Sequence, residues 1–158
     1  MSLLEILVVV AVFSILGIII TRSILLTLRG SRKSESQVKV RENVNYAMSV
    51  IERQLRNADS ITECPNSDTS RIDFTGSSGT ASSFSCEGVG GADSYIASGS
   101  ARLTSDEIEI TACSFVCAQG SSANPPSVDV SINAMDSAAT GIENTQITTS
   151  TKIFLRTY

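Results

Sequence analysis

Few side chains in this sequence have chemistry to offer. There are four cysteines, Cys64, Cys86, Cys113 and Cys117, and no histidine. Asp106, Glu107 and Glu109 form a short carboxylate cluster, and Glu5 stands by itself in an apolar run. A hydrolase or transferase would need a general base, an activated nucleophile or a phosphate-cradling glycine loop. None can be read here, so the chain is expected not to be an enzyme and to carry no cofactor. Zinc is disfavoured as well, because the cysteine spacing is not the usual C-x2-C pair and no histidine is available. Calcium at Asp106, Glu107 and Glu109 is weaker than the plain reading, a solvated strand edge that discourages wrong pairing. No metal site is therefore expected.

The cysteines instead point to disulfides, and so to an oxidising compartment. Four cysteines allow three pairings. Cys64 and Cys86 flank a hairpin-like sequence and suit a bridge. Cys113 and Cys117 would lie ~13 Å apart in a straight strand, and a disulfide needs Cα atoms within about 7 Å. They pair only if "CSFVC" turns back. The favoured reading is Cys64–Cys86 with Cys113–Cys117.

Glu5 raises a different question. Residues 6–21 carry no charge, and roughly 20 apolar residues span a bilayer as a helix. A carboxylate in such a segment costs several kcal/mol unless paired, and so marks a partner. Arg22, Arg29, Arg32 and Lys33 follow the run. Taken alone, the positive-inside rule would leave the rest of the chain in the cytoplasm. That conflicts with an oxidised domain, and a basic leader removed from in front of Met1 would resolve the conflict.

These elements must be positioned by a rod and a head. Val40, Val44, Ala47, Ile51, Leu55 and Ala58 recur at spacings of three and four, one stripe of an amphipathic helix. Arg41, Asn45, Glu52, Arg56 and Asp59 fall on the other side. "GSRKSESQ" at 30–37 has no large apolar residue and reads as wet or interfacial. With no proline between residue 2 and Asp59, one helix over 1–59 is predicted, roughly 85–90 Å long. From Ser60 the pattern changes to short alternating strands. Ile72/Phe74 and Phe84/Cys86 read as a hairpin around "GSSG". In Ile108/Ile110 followed by Cys113/Phe115/Cys117 the phase shifts, which predicts a bulge or turn near Ala112. Val128, Val130 and Ile132 form a further strand, and Ile153 and Leu155 share one face of the last. The predicted fold is α+β, a lollipop. The helix 1–59, apolar over 1–21, lays its C-terminal half on an antiparallel β-sheet head of five to six strands, 60–158. Charge divides the same way. Residues 1–59 carry eight Lys/Arg and five Asp/Glu, and residues 60–158 carry four and eleven. That asymmetry suggests complementary surfaces between copies. An acidic head repels DNA, so no nucleic-acid partner is expected.

"SLLEILVVVAVFSILGIII" resembles the mature N-terminus of type IV pilins and type II secretion pseudopilins, over roughly residues 1–30. The resemblance implies a short leader ending in Gly, removed by a prepilin peptidase, and an N-methylated Met1. It implies that Met1 and Glu5 act in assembly, with Glu5 facing a neighbour's Met1 amine (or that of its own chain). It further implies that Leu3, Leu4, Ile6, Leu7, Val10 and Phe13 pack a filament core. Two positions depart from the pattern. Arg22 stands where many of these proteins have Pro, and Ser14 where many have Gly. Local melting of the helix in a filament is still expected around Ser14, Gly17 and Thr21, because Gly17 and the β-branched run after it are weak helix formers.

"VNYAMSVIERQLRNADSI", through Ile51, Glu52, Arg53, Leu55, Arg56 and Ala58, and the terminal "KIFLRTY" also resemble the larger J-type minor pseudopilins and pilins of minimal-genome bacteria. Together the two resemblances imply a structural subunit of a type IV pilus or similar filament, a fimbrial homopolymer serving adhesion or motility. It would sit in the inner membrane before assembly, engage the pilus assembly machinery, and end in an extracellular filament. The alternatives are a minor tip pseudopilin of a secretion system and a membrane-anchored monomeric binding domain.

Overall fold

The computed structural model describes residues 3–62, 69–120, 125–138 and 145–156. One helix, α1, runs Leu3–Arg56. The chain divides into two compact units, Met1–Glu35 and Ser36–Tyr158. In the first unit every described residue is helical and exposed. Its hydroxyls turn back on the helix: Ser14 donates to the Val10 carbonyl at 2.8 Å, and Thr21 to the Gly17 carbonyl at 2.8 Å. Such bonds let a hydroxyl sit in an apolar run without an unpaired polar atom. In the single chain the helix is continuous through Ser14, Gly17 and Thr21.

In the second unit the helix turns one stripe inward. Val40, Val44, Ala47, Ile51 and Leu55 are fully buried, as their three- and four-residue spacing dictates. The helix stops earlier than the sequence suggests. Asn57 donates its side-chain amide to the Arg53 carbonyl at 2.9 Å, and its backbone N–H to the Gln54 carbonyl at 3.2 Å. A short amide side chain competing for backbone carbonyls ends the helix. Ala58 is buried as expected, but as the first residue of a strand.

Eight strands follow among the described residues, β1 Ala58–Ile61, β2 Arg71–Gly76, β3 Ala81–Glu87, β4 Tyr95–Ser98, β5 Ala101–Arg102, β6 Ile108–Ala118, β7 Ser127–Asp136 and β8 Ile147–Phe154. They form two antiparallel sheets, of order β1-β2-β3-β4-β5 and β6-β7-β8. The architecture is α+β, as predicted, with two sheets in place of one. The β2–β3 hairpin has Ile72 opposite Phe84. The Phe74 and Phe84 rings stack with centroids 5.3 Å apart. Gly79, with φ of +74°, makes the turn, a backbone that only glycine adopts without strain. The phase shift in β6 is a bulge at Thr111, since Ile110 faces Ala134 and Ala112 faces Asn133. The bulge lets one strand bury Ile108 and Ile110 before it and Phe115 and Cys117 after it.

The strands β4 and β5 have no counterpart in the sequence pattern. Four and two residues are too few to show a period, although Ile96 within β4 is fully buried. The helix stripe, Phe84 and Ile96 from one sheet, and Phe115, Ile132 and Ile153 from the other share a single core.

Candidate functional site

Between Leu3 and Leu28 the helix exposes eighteen large apolar side chains. Leu3 is 79% exposed, Phe13 70% and Leu7 63%, and Leu4, Ile6 and Val10 each show more than half their surface. Burying one such side chain is worth about 1.5–3 kcal/mol, so leaving this set in water forgoes on the order of 30 kcal/mol. Water is therefore an unfavourable medium for this segment. It contains a stretch of mean hydropathy 3.0, long enough to cross a membrane and with nothing of it buried within the chain. It is thus no core helix of a soluble domain, and its length and composition support membrane anchoring. Glu5 lies in the first turn of α1 and is exposed. A carboxylate there is favoured by the helix dipole, whose positive end is the N-terminus. Met1, its expected counterion, lies outside the described residues.

In the head, Cys86 of β3 is bonded to Cys113 of β6, with Cα atoms 6.3 Å apart. This corrects the expected pairing. Cys113 and Cys117 sit in the same extended strand, and "CSFVC" does not turn back. Four residues of strand hold their Cα atoms ~13 Å apart, beyond disulfide reach. The bulge takes up the phase change that a turn would otherwise have made. The bridge ties one sheet to the other. Cys117 is also disulfide-bonded, and Cys64 lies outside the described residues.

The carboxylates expected on one strand edge go separate ways. Asp106 pairs with Arg102 at 2.5 Å, and Glu107 reaches Lys39 of α1 at 2.7 Å. Glu109 is half-buried in β6. Among the described residues no three His, Cys, Asp or Glu are grouped to hold a metal ion. Beside the Lys39–Glu107 pair, the Ser105 N–H donates to the Asn43 side-chain carbonyl at 3.1 Å. The loop between β5 and β6 is thereby latched to the helix. Nothing in the sequence signals this latch, because its partners lie more than sixty residues apart.

A second contact without a sequence signal closes an edge. Thr69 and Phe115 exchange backbone hydrogen bonds of 3.2 and 2.8 Å, covering the outer side of β6. On β2, Arg71 grips Asp73 through three hydrogen bonds of 2.7–3.2 Å. The bonds from Arg71 hold the Asp73 carboxyl below its ordinary range, and Asp73 raises the guanidinium in turn. A cleft of about 250 Å³ lies near Asp59, Cys117, Pro126 and Arg156. It brings together no nucleophile and base.

Compared with known proteins, the chain matches no family model, no curated protein and no solved structure.

Proposed function

We propose that this chain is a structural subunit of a pilin-type filament, held in a membrane by α1 before assembly and in the filament by packing of α1 against other copies. The observation that carries the reading is the apolar surface from Leu3 to Leu28. It is too large to leave in water, and no described residue of the chain covers it. A membrane covers it for the monomer, and a bundle of equivalent helices would cover it for the polymer. Glu5 favours the polymer over a plain anchor. A carboxylate is a poor choice for a permanent lipid environment, and a good one where a neighbouring subunit supplies a cation. The disulfide-tied head supports a life outside the reducing cytoplasm.

The test is to shear surface material from cells making the chain, without detergent, and to identify intact subunits by mass. Recovery of this chain from filaments meets the expectation. Recovery from the membrane fraction alone would instead make it an anchored monomeric domain.

A further inference from the structure

The helix carries a second pattern, independent of its apolar surface. Arg22 and Arg29 are seven residues apart, and so are Glu35 and Glu42. Seven residues is two turns less about 20°, so each pair stands one above the other on a helix face. All four side chains are exposed. No ion pair within the chain uses any of them, among the described residues. Six residues separate Arg29 from Glu35, a turn of about 240°, so the two pairs look in different directions.

We infer that these four residues form an intermolecular charge ladder that sets the stagger between parallel copies of this chain, a proposal that rests on the filament reading above. In two copies shifted by thirteen residues, Arg22 stands opposite Glu35 and Arg29 opposite Glu42 at once. That shift is about 20 Å at 1.5 Å per residue. A shift of seven residues sets Arg22 against Arg29 and Glu35 against Glu42, and is repelled. With no shift, every charge meets its own kind. The apolar side chains cannot make this choice, because a surface of Leu, Ile and Val slides with little penalty from one register to another. Because cations and carboxylates occupy different sides, each copy can offer one side to the neighbour ahead and the other to the neighbour behind. Such a head-to-tail contact propagates instead of closing into a dimer.

The test is a charge swap in the full chain, read as filament yield from sheared cells. Arg29→Glu turns an attraction into a repulsion and should lower yield roughly tenfold, and Glu42→Arg likewise. The double swap, Arg29→Glu with Glu42→Arg, should return yield to within about threefold of wild type. Wild-type filaments with no rescue by the double swap overturn the ladder and leave the filament reading standing. In that case an unrescued loss of membrane-held Arg29→Glu subunits from vesicles rich in anionic phospholipid would identify lipid phosphate as the partner of Arg29. Absence of filaments from the wild-type chain overturns both readings.

Discussion

Glu5 concentrates the functional question in a single carboxyl group. In lipid it carries a penalty of about 2–3 kcal/mol even after the membrane adjusts around it. In the proposed filament, pairing with a cation from a neighbouring copy would remove that penalty, and the surrounding Leu, Ile and Val would supply the packing. The pair then selects an arrangement more than it adds net stability. Glu5→Val should therefore leave the subunit inserted in the membrane while strongly reducing filament yield. Membrane fractionation alongside shearing checks both halves, and wild-type yield would assign Glu5 some other role.

Arg71 and Asp73 offer a milder test at the same scale. The Asp73 carboxyl is depressed in the folded state by its hydrogen bonds from Arg71. Its contribution is therefore fully present above the ordinary carboxylate value, near 3.8. It fades as pH falls through the lower folded value. Asp73→Asn should melt slightly below wild type at pH 7, and the gap should close as the pH falls below the ordinary carboxylate value. Because both side chains are well exposed, the gap is small.

The helix and strands show why some of the fold is legible in the sequence and some is not. Ile51 is fully buried in the stripe that joins α1 to the head. Ile51→Ala should cost about 2–5 kcal/mol, measured as a lowered denaturation midpoint of the detergent-solubilised chain with an unchanged slope. That stripe is legible because five residues repeat one period on one element. The bulge at Thr111 is legible because a phase error within a strand is a local signal. The end of the helix is not, because Asn57 stops α1 through its own amide, and Ala58 suits either a helix stripe or a strand. The number of sheets is beyond reach, since β4 and β5 are too short to show alternation. The disulfide pairing is beyond reach for a related reason. It depends on which strand of one sheet meets which strand of the other, and spacing along the chain does not encode that. In the candidate site the apolar segment and Glu5 are legible, because length and charge suffice to define them. The latch of Lys39 and Asn43 on the β5–β6 loop is not, because only the folded head brings those residues together.

For the whole molecule, covalent cross-links bound what the head can do. Cys86 joins Cys113, and Cys117 is bonded as well. Peptide mapping without reduction should find Cys86 linked to Cys113. Cys86→Ser with Cys113→Ser should lower head stability by about 2–5 kcal/mol. An intact 64–86 bridge in the map would contradict the arrangement described here.

The same bridge has a mechanical consequence. Tension applied to a folded chain travels along its covalent bonds. Cys86 and Cys113 are 27 residues apart in sequence and 6.3 Å apart in space. A pull applied across Cys86 and Cys113 passes directly from β3 to β6, and the intervening residues, with β4 and β5, bear no load. They form hidden length that a pull cannot release. At about 3.4 Å per extended residue, roughly 85 Å of contour stays folded away until the bridge is reduced. Stretching single chains end to end, with and without reductant, should show at least that difference in extended length.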